Sequence, residues 1–114
     1  MNATIYFNDA YSTCDKTLAI LNAQNITPKK VHYLDTPPAF ETLLDLAERV
    51  DDPETMVRKK HELWNDELDV DVKDSNSVAR WLSQNLPALQ RPIVALEDGR
   101  AIVARPPERV LELF

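Results

Sequence analysis

At 114 residues, with 44% hydrophobic and 28% charged residues, the chain has material for one core, which excludes both a disordered polymer and a two-domain protein and makes residues 1–114 a single domain. Its net charge of −6 excludes a broad nucleic-acid-binding face, which needs Lys and Arg to neutralise phosphates, so any clustering of arginines becomes informative. The single cysteine excludes a disulfide framework, and together with the absence of a long apolar run and of a basic leader at the start it predicts a cytoplasmic protein that neither spans nor binds a membrane.

Ala3 to Phe7 reads as a short β-rich strand. Ser12-Thr13-Cys14-Asp15 follows as a capping signal, with Ser12 at the N-cap, Asp15 at the third helical position and Cys14 in the first turn. Leu18 and Leu21, four and seven residues after Cys14, put the sulfur on the apolar stripe of a helix ending near Asn25. Lys30 to Leu34 reads as a second strand. Thr36-Pro37-Pro38 then starts a helix with Phe40, Leu43, Leu44, Ala47 and Val50 on one face. From Asp51 to Asn76 the apolar positions keep no single period, which predicts short helices and loops. A helix capped near Asp74 or Ser75 carries Val78, Trp81 and Leu82 inward and stops before Pro87. Ile93 to Leu96 and Ala101 to Ala104 flank Asp98-Gly99 as a hairpin, and Arg105-Pro106-Pro107 opens a last helix through Val110, Leu111 and Phe114. Two strands, an inserted helical region, a hairpin and a helix predict an α/β fold with a mixed four-stranded sheet of the thioredoxin kind.

A cysteine where a strand turns into a helix meets free backbone N–H groups and the positive end of a dipole, both of which favour a thiolate. The opposing reading is an inert buried thiol on the Leu18 and Leu21 stripe. Arg91 and Arg105 flank the hairpin at ends that antiparallel pairing brings together, whereas Arg58 sits among the cations Lys59 and Lys60. His32 and His61 show no ligand spacing with Cys14, so no metal site is expected. Trp64 and Trp81 read as core residues.

Four strings, Thr4-Ile5-Tyr6-Phe7-Asn8, Tyr33-Leu34-Asp35-Thr36-Pro37-Pro38, Arg91-Pro92-Ile93-Val94 and Arg105-Pro106-Pro107-Glu108-Arg109-Val110-Leu111-Glu112-Leu113, together resemble the glutaredoxin-coupled arsenate reductase family. The resemblance runs from Ala3 to Phe114 and is weakest between Asp51 and Asn76. It implies a cysteine that attacks arsenate, three arginines that hold the oxyanion, and turnover by glutathione and glutaredoxin with no bound cofactor. The arginines correspond to Arg58, Arg91 and Arg105, and Arg91-Pro92 to a turn whose proline bond is cis. The family's nucleophile aligns with Tyr11. Cys14 instead occupies the second cysteine position of related regulators that bind RNA polymerase, and Asp15 stands where the family tends to have an arginine. A phenol titrates near about 10 and lacks the soft atom that a sulfur–arsenic bond needs, so Tyr11 is no substitute and Cys14 is the sole candidate thiol. Three residues along a helix displace the reacting atom by about 4.5 Å. The expectation is therefore an arsenate-reductase-like thiol protein with weak or lost activity, the alternative being a non-enzymatic adaptor or transcription-regulator-like protein that uses the fold as a docking surface.

Overall fold

The computed structural model describes residues 2–8 and 12–114. Four strands, β1 (Ala3–Phe7), β2 (Lys29–His32), β3 (Ile93–Leu96) and β4 (Ala101–Val103), form one sheet in the order β2-β1-β3-β4. β1 pairs parallel with β2 and antiparallel with β3, and β3 pairs antiparallel with β4. The helices are α1 (Ser12–Ala23), α2 (Phe40–Arg49) and α3 (Ser75–Gln84), with 3-10 segments at Pro53–Met56, Leu86–Ala88 and Pro107–Leu113. The expected mixed four-stranded α/β sheet is thus present, with α2 and α3 inserted between β2 and β3.

The period of two along the strands divides the core into two layers. On one face Ile93, Ala95, Ala101 and Val103 pack with Leu43, Leu46 and Ala47 of α2 and Val78, Ala79 and Leu82 of α3. On the other, Ala3, Ile5, Phe7, Val94, Leu96 and Ile102 pack with Cys14 and Leu21 of α1 and with Val110 and Leu113 of the last 3-10 segment. Every residue of β3 and β4 is buried, because both faces of these strands are covered. Gly99 turns the hairpin at φ 100°, a conformation that side chains rarely adopt.

Several boundaries depart from the sequence expectation. Helix α1 already includes Ser12, the expected N-cap, as its first helical residue, and the position before it lies outside the described residues; the helix ends at Ala23, and Asn25 takes a positive φ of 62°. β2 stops at His32 because its carbonyl accepts from the Asp35 and Thr36 amides, turning the chain out of the ladder. Pro37 and Pro38 precede rather than start α2, whose first helical hydrogen bonds run from Thr42 and Leu43 to the Ala39 carbonyl. Asp74 does cap α3, its carboxylate accepting from the Ser77 amide at 2.9 Å. Trp64 and Trp81 are half-buried and meet edge to face at 5.3 Å against the first core layer, rather than lying fully inside it. The last segment is 3-10, not α. Its period of three aligns Val110 and Leu113 inward and leaves Leu111 and Phe114 44% and 49% exposed.

Candidate functional site

Three features bring the candidate site residues together. The first is an antiparallel bridge between Val57 and Leu89, closed by the Arg58 amide donating to the Ala88 carbonyl and the Gln90 amide donating to the Met56 carbonyl, both at 2.8 Å. It places Arg58 beside Gln90 and Arg91, although 33 positions of sequence separate the two arginines. The second is the β3–β4 pairing, extended by the Ala104 amide donating to the Pro92 carbonyl at 2.9 Å, which sets Arg105 opposite Arg91-Pro92. The third is the apolar layer that seats Cys14 under β1 and β3. The Arg91–Pro92 peptide bond is cis, as the resemblance implied, and so is Arg105–Pro106.

Arg58, Lys59, Lys60 and Arg105 line one cavity of about 590 Å³ together with Glu54, Val57 and Gln90. Four cations stand there against one carboxylate, in a chain whose net charge is −6. Glu54 is occupied from both sides: Lys59 Nζ pairs with its Oε2, and Lys73 Nζ lies 2.7 Å from its Oε1. Lys73 also bonds Asp52 at 2.8 Å, so its ammonium is held well above the ordinary lysine range and the Asp52 and Glu54 carboxyls below theirs, in each case chiefly by the hydrogen bonds between them. Among the described residues neither Lys60 nor Arg105 has a carboxylate at ion-pair distance. Lys59 and Lys60, which the sequence presented as solvated neighbours of Arg58, are thus part of the cavity wall.

Arg91, next in sequence to Gln90 of the cavity wall, is 1% exposed. Cys14 is fully buried at 0%. Burial pushes the Cys14 thiol above its ordinary value; a hydrogen bond to the Asn8 backbone and the charges of Arg91 and Arg105 pull it back, while Asp15 adds to the rise. The cations that act on the sulfur are therefore the two arginines of the hairpin ends. Arg105 is common to both groupings: it lines the cavity and its charge reaches Cys14. Tyr11 lies outside the described residues. Asp15 and Lys16 are exposed. His32 stacks on Phe7 at 4.3 Å, and among the described residues no group of His, Cys, Asp and Glu is arranged to hold a metal ion. Among the described residues no helix is long and apolar enough to cross a membrane.

Gln90 had no signal in the sequence beyond its place before Arg91-Pro92, and the cavity volume depends on a bridge that no local pattern announces. What the arrangement offers chemically is a cavity lined by four cations, one of which, Arg105, also acts with the buried Arg91 on one buried sulfur.

No protein-family model matches the chain. It is similar to an arsenate reductase from Haemophilus influenzae, 33% identical over 118 residues and covering 100% of both proteins, and to one from Escherichia coli, 32% identical over 115 residues, 99% of this chain and 81% of that one. Among solved structures, an arsenate reductase from Vibrio cholerae superposes with a TM-score of 0.82 at 31% identity, covering 100% of this chain and 98% of the other. Whole-length likeness at this identity, joined to the same fold, identifies the chain as a member of the arsenate reductase family.

Proposed function

We propose that the protein binds an oxyanion of the arsenate class through Arg58, Arg91 and Arg105, and that its reductase chemistry is weak or lost. The observation that carries the first part is the cavity in which Arg58 and Arg105 stand with Lys59 and Lys60, with Arg91 buried close by and acting with Arg105 on Cys14. Planar guanidinium groups offer paired donors that match the oxygens of a tetrahedral anion, and a buried arginine spends less freedom in doing so.

The second part follows from the sulfur count. Reducing As(V) to As(III) takes two electrons, which two thiols supply as they join in a disulfide, with arsenite and water as the other products. The chain has one cysteine, so the second thiol must be external, and glutathione with glutaredoxin in a reducing, cytoplasmic compartment is the reductant that family membership suggests. Tyr11 stands at the family's nucleophile position, and Cys14 is buried with its thiol held toward the protonated form. Both features oppose attack on arsenic. The same burial favours a second reading, a non-enzymatic adaptor that retains the fold and the anion basin while Cys14 serves as a core side chain.

The test is an arsenate reductase assay with glutathione and glutaredoxin on the wild type, Cys14→Ser and Tyr11→Cys. Slow or absent turnover in the wild type and a gain of at least about a hundredfold in Tyr11→Cys are expected. Brisk wild-type turnover abolished by Cys14→Ser overturns the claim of lost chemistry. A folded Tyr11→Cys protein that binds anion yet stays inert favours the adaptor.

A further inference from the structure

The carboxylate in the cavity wall competes for the same cations that an anion needs. Glu54 lines the cavity with Arg58, Lys59, Lys60 and Arg105. Its Oε2 pairs with Lys59, and its Oε1 lies 2.7 Å from Lys73 Nζ, which reaches in from outside the wall and also holds Asp52 at 2.8 Å. The Lys59 ammonium stands 5.8 Å from the centroid of the Trp64 ring. One of the four cations of the wall is therefore already taken by an anion of the protein itself.

The Lys59–Glu54 pair is built to be exchanged. Both side chains meet solvent, at 44% and 27% exposure, and an ion pair so placed is weak. A dianion in the cavity brings twice the charge of one carboxylate and takes the Lys59 ammonium from it. Glu54 is then left facing an anion of like sign, and Lys73, still bound to its Oε1, is what neutralises it. We propose that Glu54 is an internal competitor that sets the affinity of the cavity for oxyanions. Lys59 passes from Glu54 to the bound anion, and Lys73 is the positioning residue that holds Glu54 through the exchange. The inference rests on the oxyanion reading proposed above and adds to it two residues, Glu54 and Lys73, that tune the site with opposite sign.

The experiment is titration calorimetry with inorganic phosphate at about pH 8 and low ionic strength, where hydrogen phosphate carries about two negative charges and screening is weak. Glu54→Gln removes the competing charge and keeps the size of the side chain, and should tighten phosphate binding about threefold to tenfold. Lys73→Met should weaken binding about threefold, and Lys73→Arg should restore it. In the Glu54→Gln background the loss of Lys73 should have little effect, a coupling that a general loss of positive charge does not produce. The movement of Lys59 is read separately: phosphate should change the tryptophan fluorescence of the wild type as the ammonium leaves the Trp64 ring, and Lys59→Met should abolish that change. Unchanged affinity in Glu54→Gln, an equal cost of Lys73→Met in both backgrounds, or a fluorescence change that persists without Lys59 overturns the exchange while the anion site stands. Failure of both the wild type and Glu54→Gln to bind phosphate removes the site itself, and the exchange with it.

Discussion

The thiol of Cys14 should be nearly silent toward a neutral disulfide reagent in the native protein. The sulfur is fully buried, in one cluster with Ile5, Phe7, Val94 and Ala104, so reagent reaches it only when the first turn of α1 parts from β1 and β3. Local openings cost anything up to the global stability, about 5–15 kcal/mol for a domain. Separating one turn from a packed layer, taken as about 3 kcal/mol, leaves roughly one molecule in 150 open. Protonation lowers reactivity further, since burial holds the thiol above its ordinary value despite Arg91 and Arg105. Release of a chromophoric thiol, followed across pH with and without denaturant, should therefore run at least about a hundredfold slower in the folded state. Arg91→Met should shift the native pH midpoint upward, because that guanidinium pulls the thiol down. A native rate within about tenfold of the denatured one, with a midpoint below about 7.5, would refute the reasoning and show the helix start and the two arginines prevailing over desolvation.

The cap of α3 gives a second prediction: Asp74→Ala leaves the Ser77 amide without its acceptor and should cost about 1 kcal/mol, read as a fall of a few degrees in Tm, and an unchanged melt would discount the cap. A third concerns alkaline pH. Burial is the main cause that raises both the Cys14 thiol and the Tyr6 phenol, so the folded state keeps protons that the unfolded chain has lost, and stability falls as pH climbs from about 8.5 for the thiol and about 10 for the phenol. Denaturant melts at stepped pH should show the first decline flattened by Cys14→Ala and the second by Tyr6→Phe; identical slopes in wild type and variants would contradict the shifts.

Much of the fold was legible in the chain because strand alternation and helix periodicity are local. Ala3–Phe7 and Ile93–Leu96 alternate between two core layers, Asp74 stands one residue before α3, and Asp98-Gly99 marks a turn that only a positive φ completes. The same local reasoning fell short at the C-terminus, where α and 3-10 periods both suit Arg105-Pro106-Pro107 and packing of Val110 and Leu113 against the second layer selects the period of three. It also misplaced the end of β2, since the turn after His32 depends on carbonyl hydrogen bonds that composition does not encode.

For the site, residue identity was determined by the sequence and proximity by the tertiary structure. One cysteine, Tyr11 three residues before it and arginines beside prolines stand in the chain itself, and with a single sulfur any thiol–disulfide chemistry needs an external thiol. That a bridge joins Val57 to Leu89, that Arg58 and Arg105 line one cavity, and that Arg91 is buried while Lys60 and Arg105 stay exposed depend on contacts between segments far apart along the chain. Hydrogen bonds and burial of that range come from the packing of whole layers, so the electrostatics of the thiol, raised by desolvation and lowered by two distant guanidinium groups, was set only when the chain folded.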